Sequence, residues 1–253
     1  MFSTVETMKR VVSVLYGVMV YLLFVATFLY LIAFVGNLAV PKTIDSGTAG
    51  SLVEAVVVNV LLLGLFAAQH SIMARPAFKR LWTRIVPKPI ERSTYVLFAS
   101  LALVLVVWQW RPISGEVWVA DSEVWGTVIT GVFWLGWAIV LISTLLIDHF
   151  ELFGLAQVFA ALRQQEFPAP VFRTPWLYKW VRHPLYVGFL LAFWSTPSMT
   201  WGHLLFSVGT TGYILLGAGL EERDLVTLFG EQYRRYRKRV RMLFPWPRRT
   251  TAE

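Results

Sequence analysis

Two short polar clusters at the ends of long apolar runs contain histidines that could accept a proton. His70 follows one run, and Asp148, His149 and Glu151 follow another. Because an imidazole titrates near neutral pH, His149 is the first candidate for a general base and His70 the second. Asp148 or Glu151 would orient or polarise the ring of His149. In the alternative interpretation His70 caps the last carbonyl groups of a helix, and the second cluster is a polar cap followed by a turn at Gly154.

The same residues are poorly arranged for binding a metal ion. Asp148 and His149 are adjacent in the chain, and neighbouring positions of a helix do not face each other. No second pair of ligand residues stands one helical turn away, so the sequence predicts no metal site. The chain also contains no cysteine, which excludes a disulfide framework, a thiolate metal site and a cysteine nucleophile.

A third cluster, residues 182–188, has the composition of an anion-binding helix start. Pro184 suits the first turn of a helix, where its missing N–H group costs nothing. The free backbone N–H groups there attract a carboxylate or phosphate, and Arg182 and His183 would reinforce that attraction. Gly188, one turn further along, would allow a ligand or another helix to approach the backbone. The alternative is a basic, proline-initiated start of a membrane helix.

A fourth cluster begins with two carboxylates, Glu221 and Glu222, that could bind a cationic ligand. In the alternative interpretation they only balance Arg223 and the basic tail. The residues that follow recur at helical spacing, which predicts an amphipathic helix on the membrane surface. Its apolar positions are Leu225, Leu228, Phe229, Tyr233, Tyr236 and Val240.

The elements that must position these clusters are membrane helices. Of the 253 residues, 57% are hydrophobic and 15% are charged, whereas soluble domains carry roughly 25% charged residues. The composition therefore excludes a disordered chain and an ordinary water-soluble enzyme. Apolar runs long enough to span a bilayer occupy residues 11–35, 55–73, 94–110, 124–147 and 185–220.

The last of these runs is interrupted by the sequence Ser-Thr-Pro-Ser at residues 195–198. We therefore predict a tight helical hairpin there and six membrane segments in total; in a five-segment variant the hairpin would be re-entrant. The fold class is all-α, a polytopic bundle of five to six membrane helices with a C-terminal amphipathic cytoplasmic helix. We expect a single domain over residues 1–253, with a four-helix part at 1–147 and a cofactor-binding part at 148–253.

Loop charges predict the orientation of these segments. The loop between the second and third runs is strongly basic, and the loop between the third and fourth is acidic. Because basic loops stay on the cytoplasmic side, both chain termini are expected to be cytoplasmic. The net charge of +8 is attributed to such loops facing an anionic leaflet of the lipid bilayer, and not to nucleic-acid binding.

The third and fourth clusters flank the predicted hairpin, so they should meet at its cytoplasmic end. One cluster offers groups that bind an anion and the other offers groups that bind a cation, so a zwitterionic ligand would satisfy both. S-adenosyl-L-methionine carries a carboxylate, an ammonium and a sulfonium, and it is the cofactor that this pairing favours.

These two clusters resemble the C-terminal signature of integral-membrane methyltransferases, a group that includes isoprenylcysteine carboxyl methyltransferases and phospholipid N-methyltransferases. In that group the corresponding segments bind S-adenosyl-L-methionine, and the resemblance implies the same role here. The positions that match, and that the resemblance implies are cofactor-binding, are Arg182, His183, Pro184, Tyr186, Gly188, Glu221, Glu222, Leu225, Tyr233 and Tyr236.

Motifs at residues 70–76, 91–95 and 149–155 are similar to those of the nurim/NnrU-like branch, and within it to the bacterial methanethiol S-methyltransferases. The resemblance implies methyl transfer to a small volatile thiol, methanethiol to dimethyl sulfide, in a bacterial inner membrane. Sulfur reacts as the thiolate, which is why a proton acceptor such as His149 is expected. The alternatives are a lipid amine or prenylcysteine carboxylate as acceptor, or a non-catalytic nurim-like or haem-binding protein that uses His70 and His149.

Overall fold

The computed structural model describes residues 4–48 and 50–245. Within them the chain is mostly helical, with one small two-stranded sheet. The elements in chain order are α1 (Thr4–Val35), α2 (Leu52–Ala74), α3 (Pro76–Trp82), α4 (Lys88–Gln109), β1 (Glu116–Val119), α5 (Glu123–Ile147), α6 (His149–Leu152), α7 (Leu155–Leu162), a 3₁₀ turn (Trp176–Lys179), α8 (Pro184–Trp194), β2 (Ser198–Thr200), α9 (Trp201–Phe229) and α10 (Glu231–Arg239).

Five helices of the described chain are long and apolar enough to cross a membrane, namely α1, α2, α4, α5 and α9. They contain between 22 and 32 residues, and at a rise of about 1.5 Å per residue each exceeds the roughly 30 Å hydrocarbon core. Many of their large apolar side chains are exposed, as a lipid-facing surface requires. The prediction of an all-α polytopic membrane protein is confirmed.

The predicted hairpin differs from the structure in the lengths of its two halves. The break at residues 195–198 is present, because a proline disfavours helical backbone at the residue before it. However, α8 has only 11 residues and reaches about half of the hydrocarbon core. The expectation that each half could span the membrane is therefore wrong for the first half, and five helices of the described chain are long and apolar enough to cross it.

The second half of the hairpin, α9, is longer than predicted. It continues to Phe229, so Glu221 and Glu222 lie inside this helix and not beyond its end. Charged residues do not by themselves end a helix. The helix ends before Gly230, because the backbone of this glycine has a φ of +57°, outside the α-helical region. The separate polar helix α10 follows directly, with Tyr233 buried and its basic residues exposed.

The chain separates into two compact units, each built from discontinuous segments. The first comprises Met1–Gly115, Asp148–Ala169 and Thr200–His203, and α1, α2, α4 and α7 pack together within it. The second comprises Glu116–Ile147, Pro170–Met199 and Leu204–Glu253, and its main helix contact joins α5 to α8. A single domain over the whole chain stays a prediction.

The contact between α5 and α8 depends on two glycines that face each other. A Cβ atom added to Gly188 would lie 2.7 Å from the carbonyl oxygen of Gly136 and 2.8 Å from the backbone nitrogen of Val140. Small residues allow such close backbone approach between membrane helices. Of the two uses that the sequence suggested for Gly188, the structure therefore supports the approach of another helix.

Replacing Gly188 by alanine should destabilise the second unit. The new methyl group meets backbone atoms that cannot move aside, and overpacking of this kind costs about 1–3 kcal/mol. We expect a lower melting temperature and less folded protein in detergent, measured by tryptophan fluorescence and gel filtration. Gly131→Ala on α5 is the matched control, because nothing lies within 4 Å of its added Cβ; equal melting temperatures for the two variants would contradict the assignment.

Candidate functional site

The segment before α8 is held in place by the chain that follows α10. The backbone N–H of Arg182 donates to the carbonyl of Arg241 at 2.8 Å, and that of His183 donates to the carbonyl of Met242 at 3.1 Å. A parallel bridge between Val181 and Arg241 continues the same pairing. The start of α8 is therefore fixed from outside the helix, and the tail residues that fix it are ones that sequence analysis did not identify.

Arg182 and Glu222 form a buried ion pair inside this arrangement. The Arg182 Nε to Glu222 Oε1 distance is 2.5 Å, and the two side chains are only 6% and 4% exposed. Arg182 Nη1 also donates to the carbonyl oxygens of Val240 at 2.6 Å and Arg237 at 3.3 Å. The second oxygen of Glu222, Oε2, lies 3.1 Å from Arg237 Nε. These contacts favour an architectural use of both residues over the ligand-binding use that the sequence suggested.

Glu221 is oriented by its neighbours yet accessible. The Tyr186 hydroxyl donates to Glu221 Oε2 at 2.8 Å, and His183 Nδ1 lies 3.7 Å from the same oxygen. The other ring nitrogen of His183 lies 3.2 Å from Glu222 Oε1, and its ring stacks on that of Tyr186. Because the Glu221 side chain is 45% exposed, it is a carboxylate held in one orientation with a face open to a cation.

Two tyrosines of α10 pack beneath this cluster as neutral phenols. Burial raises the pKa of Tyr233, with the Glu222 carboxylate acting in the same direction. Burial also raises the pKa of Tyr236 to about 12, and its hydroxyl donates to the carbonyl of Tyr178 at 2.5 Å. Phe172 contacts both rings edge-on. The two tyrosines thus connect α10 to Tyr178 and Phe172. Sequence analysis did not identify these two residues, because no spacing pattern relates them to α10.

The remaining two sequence candidates flank this cluster. Pro184 is the first residue of α8 and is buried. Leu225 lies one turn beyond Glu222 on α9 and is half-buried. The second unit therefore brings together residues of the third and fourth clusters, as the sequence predicted.

His149 lies in the first unit, at the start of the short helix α6. Asp148 caps this helix, because its Oδ1 accepts the backbone N–H of Glu151 at 3.0 Å. The Nε2 atom of His149 forms a 2.8 Å hydrogen bond with the Tyr21 hydroxyl of α1. Burial lowers the pKa of His149, and the Asp148 carboxylate opposes that effect only in part. The lowered pKa favours the neutral form of the ring.

Several aromatic rings contact the His149 imidazole. Its centroid is 4.8 Å from that of Phe153 and 5.5 Å from that of Phe150, both edge-on. Phe24 of α1 stacks on Phe153 at 4.0 Å, and Tyr21 contacts the imidazole edge-on at 5.8 Å. These rings line part of the imidazole, although Phe150 itself is 55% exposed.

His70 is tied into the packing between α2 and α4. Its Nε2 atom and the Tyr95 hydroxyl form a 2.8 Å hydrogen bond, and Phe66 stacks on the ring. Arg92 lies over the Tyr95 ring and donates from Nε to the carbonyl of Leu152 at 2.8 Å. This neighbourhood favours the structural interpretation of His70 and leaves His149 as the first candidate.

The turn after α6 has the form that the alternative interpretation of this cluster gave it. Gly154 has a φ of +89°, which favours glycine. A Cβ there would lie 2.6 Å from Ser93 Oγ and 2.7 Å from the Ser93 backbone nitrogen. Gly154 thereby packs closely against Ser93 in the second turn of α4. Within residues 4–48 and 50–245, no group of three His, Cys, Asp or Glu side chains is placed to hold a metal ion.

The chain is similar to known proteins over almost its whole length. It is 53% identical to the methanethiol S-methyltransferase of Mycobacterium tuberculosis over 244 residues, which cover 96% of this chain and 100% of the relative. It is 56% identical to methanethiol S-methyltransferase 1 of Bradyrhizobium diazoefficiens, over 94% of this chain and 84% of the relative. The nurim of Danio rerio is 33% identical over 71% of this chain and 68% of its own length.

No protein-family profile matches the chain, and no solved structure matches it. The Mycobacterium tuberculosis relative is nevertheless matched over its full length. The resemblance that the sequence motifs indicated is confirmed. With identities of 53% and 56% over more than nine-tenths of its residues, this chain belongs to the methanethiol S-methyltransferase family.

Proposed function

We propose that the protein transfers a methyl group from S-adenosyl-L-methionine to methanethiol and so forms dimethyl sulfide. The observation that carries this proposal is the 53% identity to a methanethiol S-methyltransferase matched over its full length. The relatives with this name come from bacteria, which supports a bacterial inner membrane as the location. The basic loops and tail support cytoplasmic termini.

The second unit offers groups that fit the amino-acid end of the cofactor. Glu221, held by Tyr186 and His183 and partly exposed, suits an ammonium group. The first backbone N–H groups of α8 suit a carboxylate, since His183 at the N-cap makes no capping bond with its side chain. When bound, S-adenosyl-L-methionine supplies an electrophilic methyl group on a sulfonium centre.

The first unit offers groups that fit the acceptor. A thiol is mostly protonated near neutral pH, whereas the thiolate is the nucleophile. His149 is neutral because burial lowers its pKa, so it can take the thiol proton as a general base. The Phe150 and Phe153 rings contact the imidazole, and aromatic rings interact favourably with sulfur.

Removing the exposed carboxylate should weaken cofactor binding without unfolding the protein. Loss of one hydrogen bond to a charged group costs about 1.5–3 kcal/mol, so the affinity of Glu221→Ala for S-adenosyl-L-methionine should fall roughly 10- to 150-fold. Calorimetric titration of the purified protein measures this change. The control is Glu231→Ala, which removes an exposed carboxylate from α10 and should leave affinity unchanged.

The acceptor is tested with the same purified protein. Labelled S-adenosyl-L-methionine is incubated with methanethiol, longer thiols, lipid amines and prenylated acids, and labelled products are separated. We expect label in dimethyl sulfide above all other products. Transfer to a lipid amine or prenylcysteine carboxylate instead would refute methanethiol as the acceptor. In the separate binding titration, an unchanged affinity of Glu221→Ala for S-adenosyl-L-methionine would refute the proposed cofactor site.

A further inference from the structure

The connection between α2 and α4 contains a short helix that one extended residue separates from α2. Arg75 has a ψ of 139°, the extended backbone expected of a residue before proline. Pro76 then begins α3. Turns continue the coil beyond α3, because the backbone N–H groups of Ile85 and Val86 donate to the Trp82 carbonyl at 3.0 and 2.9 Å. We refer to residues 76–87 as the α3 segment.

One face of the α3 segment packs on the first unit. Phe78 and Trp82, which lie one helical turn apart, are partly buried there, and their ring centroids are 5.6 Å apart in a stacked arrangement. The Trp82 ring also meets that of Phe98 edge-on at 6.4 Å. The buried residues against which this face packs are Val20, Met73, Tyr95 and Val96. The segment is therefore fixed on the protein by this face.

Two large apolar side chains of the α3 segment point away from the protein. Leu81 is 59% exposed and Ile85 is 79% exposed, and the two positions again lie four residues apart. Surrounding lipid accounts for such exposure in a membrane span. However, the α3 segment lies outside the five described helices that are long and apolar enough to cross a membrane. Its exposed apolar surface indicates contact with another apolar partner.

Basic side chains border this apolar surface. Arg80 and Arg84 of the segment, and Lys88 at the start of α4, are exposed and follow one another at intervals of four residues. Residues 75–92 contain six lysines and arginines and a single glutamate. A surface of this charge complements an anionic partner. The loop is also the one whose charge predicts a cytoplasmic location, where the leaflet carries anionic lipids.

We propose that the α3 segment docks on the surface of an anionic phospholipid bilayer. Leu81 and Ile85 insert between the acyl chains near the headgroups. Arg80, Arg84 and Lys88 bind lipid phosphates, which guanidinium groups contact through paired hydrogen bonds. Apolar insertion and attraction to anionic lipids together are what hold an amphipathic segment in the membrane interface. This inference does not depend on the reaction that the protein catalyses.

The basic helix α10 lacks this combination and provides a control. Its residues Arg235 and Arg239 are exposed and lie four residues apart, as Arg80 and Arg84 do. Tyr233 is buried in the protein. Within Glu231–Arg239, all of which the structure describes, no large apolar side chain is exposed. α10 therefore offers the same charge without an apolar group that could insert into lipid.

Insertion of the segment is tested with a spin label. The chain contains no cysteine, so Ile85→Cys gives a single site for a nitroxide. In nanodiscs of phosphatidylcholine and phosphatidylglycerol, this label should collide more with oxygen, which dissolves among acyl chains, than with an aqueous nickel chelate. The control is Gln165→Cys, an exposed polar position after α7, where the preference should reverse. Nickel access at position 85 equal to that at position 165 would overturn the proposal.

Binding of lipid phosphate is tested by removing two charges. In neutral detergent micelles, added phosphatidylglycerol should raise the melting temperature of the wild-type protein, since a ligand that binds the folded state stabilises it. For Arg80→Gln/Arg84→Gln, the amount of lipid that gives half of this rise should increase roughly 30-fold, or about five-fold for each basic residue. Arg235→Gln/Arg239→Gln should respond as the wild type does.

Equal losses in the two double variants would show diffuse attraction with no docking by the α3 segment. An equal rise in melting temperature with inorganic phosphate would show an anion site that does not require lipid. Either result contradicts the proposal. If Arg80→Gln/Arg84→Gln does not fold, Lys88→Gln provides the same test with an expected change of about five-fold. None of these measurements involves methyl transfer, so a negative result leaves the proposed function unaffected.

Discussion

Replacing His149 by alanine should lower the turnover of thiol methylation by about 10²- to 10⁴-fold, the usual contribution of a general base. Affinity for S-adenosyl-L-methionine should change little, because the proposed cofactor groups belong to other segments of the chain. A thiol that ionises without help would bring the effect toward the lower end of this range. Turnover is measured per folded, cofactor-binding molecule.

The pH dependence of the two proteins should differ in a defined way. In the proposed mechanism the neutral form of His149 is the active one, and burial lowers its pKa. Wild-type activity should therefore persist somewhat below the ordinary histidine value of about 6.5 and be lost as the pH falls further. The residual rate of His149→Ala should rise continuously with pH, since hydroxide replaces the missing base by increasing the thiolate fraction.

His70→Ala is the control for this experiment. His70 pairs with Tyr95 and stacks on Phe66 within the helix packing, so its loss should lower the melting temperature and preserve turnover per folded molecule. Normal turnover of His149→Ala at neutral pH would remove His149 from the mechanism. The converse pattern, in which only His70→Ala loses turnover, would assign the base to His70.

Replacing Glu222 by glutamine should destabilise the protein by about 3–5 kcal/mol, the cost of removing one partner from a buried ion pair. Arg182 would keep its charge at 6% exposure without the carboxylate that lies 2.5 Å away. Arg237 and His183 would lose the same partner. Denaturant titration in mixed micelles, followed by tryptophan fluorescence, measures the change in the free energy of unfolding.

Glu231→Gln is the matched control for the Glu222 variant. Glu231 and Arg234 also lie 2.5 Å apart, but their side chains are 65% and 56% exposed. Water screens such a pair, so little change in stability is expected. A Glu222→Gln protein of normal stability that no longer binds S-adenosyl-L-methionine would assign Glu222 to the cofactor and contradict the architectural role.

The sequence alone was sufficient to predict the membrane fold and the family. Four of the predicted apolar runs coincide with α1, α2, α4 and α5 to within seven residues at each end, because a lipid-exposed backbone must satisfy its hydrogen bonds internally over a fixed length. The break between α8 and β2 was also predictable, since proline restricts the residue before it. Hydropathy and backbone restrictions depend only on neighbouring residues, so both can be read from a single sequence.

The lengths of the last two helices were less predictable. Nothing local distinguishes a charged residue inside the last turns of a helix from one beyond its end, so Glu221 and Glu222 were expected outside α9. In the structure the helix continues to Phe229. The ion pair between Glu222 and Arg182 compensates for placing a charge there, and that compensation comes from a distant segment.

Only the tertiary structure distinguished the roles of chemically similar residues. Glu221 and Glu222 are adjacent and identical in type, yet one is accessible and the other is buried against two guanidinium groups. Likewise, the sequence indicated His149 as a possible base but not Tyr21, whose hydroxyl contacts it across 128 residues. Residue types and spacing determine which chemistry is available, whereas exposure and hydrogen-bond partners depend on segments that meet only when the chain folds.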